Sequence, residues 1–270
     1  MTISRARSLS DVNVNLLRVC VTNVSGEKRF KVELPSNSTL LDVKRLITTY
    51  FDIQLCELNL IAGLHRCLDD TAHLGSLGSR GNLFLTVVRV VDPALPIIMG
   101  QFQGPRAVDA CSAAERWFGS GEAQYINESR RQVAVKTNMH LAIINTLRSN
   151  PCSKVYRALS VLCKATQDHE SNVSAAYRRQ AIVDAGAIEL LVAIIANARK
   201  IVFDTEHACR TLALLCQVDT SLPSPMVKAA QARRKRAIDV GANRALAMFL
   251  TFPLPHYIYI YMKWQGVPLT

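Results

Sequence analysis

Arg157 and Arg210 have the residue type and spacing for anion chemistry. Each opens a segment of one pattern, Arg157-Ala-Leu-Ser-Val-Leu-Cys163 and Arg210-Thr-Leu-Ala-Leu-Leu-Cys216, and the two align without a gap at an offset of 53. Equivalent positions in stacked units form a row. A row of guanidinium groups can hold carboxylates or phosphates in a two-pronged geometry. The competing reading is that both arginines are solvated residues on a helix surface.

Other chemistries have less support. Eight cysteines and six histidines show no Cys-x-x-Cys pair and no ligand spacing, so neither zinc nor any other metal is expected. Cys163 and Cys216 match on what reads as a packed face, where a free thiol behaves as a small hydrophobe. Reduced thiols point to a cytoplasmic protein. No phosphate loop, Ser-His-Asp signature or Cys-His motif stands out, and no cofactor is expected.

The elements that would position the arginines repeat. Arg130-Arg131-Gln132, Arg178-Arg179-Gln180 and, in modified form, Arg234-Lys235-Arg236 each lead into an apolar helical run. Each run then breaks, at Asn138, Gly186 and Gly241, with separations of 48 and 55. Glycine is the best residue for the left-handed turn after a helix, and asparagine is the tolerated substitute. Self-similarity at this scale marks a helical solenoid, with Gln167 to Ser174 and Asp219 to Pro225 read as loops that stretch the period. The arginine runs read as solvated helix faces. For Arg233 to Arg236, a nuclear localisation signal or a nucleic-acid contact are alternatives, but no aromatic residues interleave with the charges.

AIVDAGAIELLVAII at 181–195, IDVGANRALAMFL at 238–250 and the two Arg-to-Cys segments resemble the armadillo family over about 129–251. That resemblance implies a non-enzymatic array that binds extended peptides along a groove lined by the third helix of each unit. In the family's nuclear-import receptors this helix carries a tryptophan and, one turn later, an asparagine. The matching pairs here are Arg157 with Val161 and Arg210 with Leu214. Slots for lysine stems are therefore absent, and an acidic or phosphorylated segment is the expected ligand. The charge agrees, since the formal balance is +10 over 129–251 against +2 over 16–91 and −3 over 92–128.

The N-terminal part reads differently. Leu17, Val19 and Val21 alternate with polar residues, Asn23 to Gly26 gives a turn, and Phe30, Val32 and Leu34 alternate again. Thr39 caps a helix bearing Leu40, Val43, Leu46 and Ile47, and two later strands follow at 57–63 and 82–90, in the order ββαββ. TLLDVKRLI, LNLIAG, Leu68-Asp-Asp70 and NLFLTVVR make residues 16–91 resemble the ubiquitin-like family, with its β-grasp fold. Conjugated members end in Gly-Gly, whereas Val90-Val91-Asp92-Pro93 follows the last strand here. An integral module is implied. Its partners in the ubiquitin pathway would read an apolar patch whose matching positions are Val24, Leu60 and Thr86, with the third strand's register open by one residue, so that Leu60 as core is the alternative.

The expected layout is thus an α+β β-grasp domain and an all-α armadillo-type solenoid. Residues 1–15 are a tail, 92–104 a linker with Pro93 and Pro96, 105–128 a helix and loop capping the array, and 252–270 an irregular tail. No apolar run is long enough to span a membrane. Function follows as a non-catalytic adaptor. The alternatives are a scaffold in which the first domain packs on the repeats, and a noncatalytic subunit of a ligase complex.

Overall fold

The computed structural model describes residues 16–27, 29–62, 65–67, 69–78, 81–119, 124–165, 169–197 and 202–250, without the side chains of 65–67, 169–171, 202–204 and 248–250. The expected tails at 1–15 and 252–270, and Leu68, lie outside the described residues. Two compact units divide between Val91 and Asp92.

The first unit is β-grasp-like. Strands β1 (Leu16–Asn23), β2 (Arg29–Pro35), β3 (Leu58–Ala62), β4 (His65–Cys67) and β5 (Asn82–Arg89) form one mixed sheet in the order β2-β1-β5-β3-β4. β1 and β5 pair in parallel at its centre, and the other pairs are antiparallel. β4 extends the expected strand order. Helix α1 (Leu40–Phe51) starts at a capping box, in which the Thr39 side chain accepts from the Asp42 N–H while the Asp42 carboxylate accepts from the Thr39 N–H. It ends at Asp52, which is left-handed with φ 52°. Leu40, Val43, Ile47 and Phe51 face the sheet, where Leu17, Val19, Val21, Leu58, Leu60, Leu83, Leu85 and Val87 complete the core. A 3-10 turn at Leu55–Glu57 and the short helix α2 (Leu74–Leu77) complete the unit.

The second unit holds ten helices among the described residues: α3 (Ala94–Phe102), α4 (Ala107–Gly119), α5 (Gln124–Lys136), α6 (Met139–Ser149), α7 (Ser153–Cys163), α8 (His169–Asp184), α9 (Ala187–Asn197), α10 (Val202–Leu215), α11 (Ser224–Asp239) and α12 (Ala242–Leu250). Asn138, Gly186 and Gly241 all have positive φ, at 62°, 84° and 93°, at the sharp turns α5–α6, α8–α9 and α11–α12. The repeat breaks read from the sequence are therefore real turns. No single helix here is long and apolar enough to cross a membrane.

Three expectations change. The linker at 92–104 is largely helix α3, because Pro96 sits in the first turn, where a missing N–H costs no helical hydrogen bond. The Asp92 carboxylate accepts from the Ala94 N–H at 3.0 Å to start it. The loop at 167–174 gives way to α8 from His169 onward. The capping helix α4 turns out to be a third helix in its own right. Its buried residues Ala110, Cys111, Ala114, Trp117 and Phe118 match Val155, Tyr156, Leu159, Leu162 and Cys163 of α7, and Ala208, Cys209, Leu212, Leu215 and Cys216 of α10. The same offset aligns Leu95 and Ile98 of α3 with the buried His140 and Ile143 of α6. Helices α3 and α4 are thus the second and third helices of an incomplete leading unit.

The arginine runs are not solvated faces. Arg131, Arg178, Arg179 and Arg233 are buried. Arg130, Arg178 and Arg233 occupy one repeat position, and each donates to the carbonyl near the end of the preceding third helix: Trp117 at 3.4 Å, Leu162 at 2.9 Å and Leu215 at 2.9 Å. The last carbonyls of a helix have no partner within it, and they form the negative end of its dipole. A guanidinium answers both needs. Arg179 adds the Cys163 carbonyl at 2.9 Å, and Arg178 adds that of Lys164 at 2.8 Å.

These caps join into a polar ladder through the array. Glu128 on α5 accepts from Arg131 and, in a two-pronged pair, from Arg178 on α8. Arg179 reaches Gln217 beyond α10 at 3.1 Å, and Gln180 accepts from Arg233 on α11 at 3.2 Å. Each unit's first helix is thereby tied to the next.

Candidate functional site

The third helices α4, α7 and α10 lie side by side, with α7 in the middle. Their apolar sides are buried, so the opposite sides form one face. Ser112, Arg157 and Arg210 share one position on it by the alignment above. Arg157 and Arg210 are exposed, with side-chain exposures of 60% and 53%. Val161 and Leu214, one turn on from each, are half-buried. The structure therefore brings all four sequence-predicted residues of the array to one face in two equivalent pairs.

Neither guanidinium is without a carboxylate. Arg157 donates through Nε and Nη2 to Glu115 Oε1 on α4, at 3.0 and 2.8 Å, and Arg210 pairs through Nη2 with Glu206 on its own helix. The carboxylates are the sheltered partners, with side-chain exposures of 20% and 18%. Each lies beneath its arginine and fixes it, so donors remain on the outer side of both guanidiniums. Lys154 pairs with Asp109 at 3.3 Å at one end of the face, and Ser160 and Thr211 share a hydrogen bond of 2.6 Å between α7 and α10.

Glu115 and Glu206 were missed in the sequence. Glu206 was accessible, since it stands four residues before Arg210 on one helix. Glu115 required α4 to be recognised as a third helix, which the gapless match at an offset of 45 would have supplied.

The cysteines behind this face are packing groups. Burial pushes the Cys111, Cys163, Cys209 and Cys216 thiols up to about 12, so none is a ready nucleophile. At the leading end, Asp92 accepts from Trp117 Nε1 at 2.7 Å and Arg130 Nη2 at 3.1 Å. Burial opposes its ionisation, but these bonds and that of the Ala94 N–H outweigh burial and hold the carboxyl below its usual range. Trp117 is core.

His140 gives the array a pH dependence. It is buried on α6, its Nδ1 has no hydrogen-bond partner, and burial lowers its pKa. In the unfolded chain it takes up a proton near the ordinary value of ~6.5, whereas the folded chain resists until lower pH. The unfolded state then binds more protons, so stability is lost as pH falls below that value. Urea titrations at pH 7.5 and 5.5 should show a fall for the native chain that is smaller for His140→Leu.

In the first unit, the expected patch is corrected at one position. Val24 lies in the β1–β2 turn and is 75% exposed, and Thr86 on β5 is half-buried. Leu60, however, is 0% exposed and belongs to the core. The register resolves the ambiguity: Ile61 stands opposite Thr86 and Asn59 opposite Val88, so the outward members of β3 are Asn59 and Ile61. The outer face carries Val24, Ile61, Thr86 and Val88, and beside them Phe84, 69% exposed, which the sequence reading did not single out.

No protein-family model matches the chain, and no curated protein matches it. Among solved structures, a ubiquitin-like domain from an Arabidopsis thaliana protein is similar at 19% identity, covering 34% of this chain and 95% of its own, with a TM-score of 0.27. The N-terminal ubiquitin-like domain of a second protein is 22% identical, with coverages of 34% and 93% and a TM-score of 0.26. ATBAG1, crystallised in complex with HSP70, is 10% identical, with coverages of 84% and 99% and a TM-score of 0.26.

Proposed function

We propose that this chain is a non-catalytic adaptor of the cytoplasm, in which a ubiquitin-like module docks to ubiquitin-pathway machinery and an armadillo-type array holds an extended acidic segment of another protein. The observation that carries the reading is the pair of exposed guanidiniums at equivalent positions of α7 and α10, each fixed by a sheltered carboxylate. A fixed guanidinium loses little side-chain freedom when it takes an anion, so more of the interaction remains as affinity. The apolar outer face of the first unit, Val24, Ile61 and Val88 around Thr86, supports the second contact. Two binding surfaces on one chain raise the effective concentration of one partner near the other, and no chemical step is required.

Affinity capture with the full chain tests this. Ile61→Asp should remove ubiquitin-pathway proteins from the captured set and leave the rest. Arg157→Glu with Arg210→Glu should remove a different set. Captured sets unchanged by both variants would defeat the adaptor reading and leave a scaffold role.

A further inference from the structure

We infer that the α7–α10 face takes a polyproline-type segment with glutamate or aspartate at every third residue; the inference rests on the acidic-groove reading above and specifies its ligand.

Spacing carries the first step. Arg157 and Arg210 lie at the same position of neighbouring packed helices, and packed helix axes are about 8–10 Å apart. Two anions that meet the two guanidiniums must therefore be separated by about that distance. In a β-strand, residues two apart share a side but rise only about 6.7 Å, and residues three apart point to opposite sides. A polyproline helix has three residues per turn and rises about 3.1 Å per residue, so residues three apart share a side at about 9.3 Å. Only the second geometry matches both the distance and the direction.

The rest of the face agrees. Glu115 occupies Nε and Nη2 of Arg157, which leaves the Nη1 amino group for a ligand carboxylate. Between the guanidiniums lie the half-buried Val161 and Leu214, apolar groups against which proline rings pack without needing donors. Ser112 takes the third place in the row, on α4, and supplies a hydroxyl in place of a guanidinium. The face thus provides two anion positions and then a neutral polar one. A polyproline segment also arrives already extended, so less conformational entropy is lost on binding.

The probe is fluorescein-labelled (Pro-Pro-Glu)5, read by fluorescence anisotropy against the full chain at low salt. Its control has the same composition with glutamates alternately two and four residues apart. The regular peptide should bind at least about tenfold more tightly than the control. Arg157→Gln with Arg210→Gln should lose about tenfold or more, as should the Glu pair of substitutions, which should instead take (Pro-Pro-Lys)5. Circular dichroism melts of both variants should match the parent, since both side chains are more than half exposed.

Equal affinity for the two acidic peptides, with loss in both variants, would overturn the spacing and leave the acidic groove standing. Binding that is indifferent to the arginines, or no binding of any acidic peptide at millimolar concentration, would overturn both. A phosphoserine peptide that binds where the glutamate peptide does not would overturn the carboxylate assignment.

Discussion

Glu128→Ala should destabilise the helical unit by about 3–5 kcal/mol, the cost of breaking a buried ion pair by removing one partner. Glu128 is the carboxylate shared by Arg131 and Arg178, and the Arg178 side chain is only 2% exposed. Without it, two guanidiniums stay near the end of α7 with carbonyl oxygens as acceptors and no opposite charge. They cannot deprotonate to escape, as a buried lysine would. Nor can they swing into water cheaply, because Arg178 caps Leu162 and Lys164, and leaving would orphan those carbonyls. Domains are stable by about 5–15 kcal/mol in total, so the effect is a large share. Urea denaturation is the measurement, with the midpoint expected to fall at an unchanged slope. A change within about 0.5 kcal/mol would mean that the arginines are solvated after all, as their sequence suggests.

That contrast explains which parts of the fold were readable. The turns at Asn138, Gly186 and Gly241 were, because a left-handed backbone restricts residue choice locally. The match of Arg157 to Arg210 was readable too, since apolar positions around them recur at helical spacing. The function of Arg130, Arg178 and Arg233 was hidden. Their offsets of 48 and 55 repeat those of the turns, but an arginine that caps a buried helix end and one that faces water have the same letter. Only the neighbouring helix distinguishes them, and it lies 13 to 18 residues earlier in the chain. Helix α3 was hidden for another reason: proline breaks helices in their interior and is tolerated in the first turn, and where the first turn begins depends on Asp92. The groove's charge was half legible. Its arginines stood out, while Glu115 lay in a segment whose kinship to α7 is carried by burial alone.

The first unit turns on one residue of register. Reading the third strand as Leu58 to Ala62 leaves either Leu60 or its neighbours facing outward, and a slip of one moves every side chain to the other face. The pairing of Ile61 with Thr86 places Leu60 inward, beside Val19, Ile47 and Val87 in the same core. Leu60→Ala should therefore cost about 2–5 kcal/mol, the transfer term plus the cavity left in a packed core. Ile61→Ala should change stability far less, because Ile61 is only half-buried. The two substitutions remove similar groups from adjacent positions, so the difference between them isolates the register. A thermal melt of each variant provides the comparison. Comparable small shifts for both would mean that neither side of β3 packs on α1. A larger loss for Ile61 would reverse the faces, return Leu60 to the surface, and remove Ile61 from the docking patch.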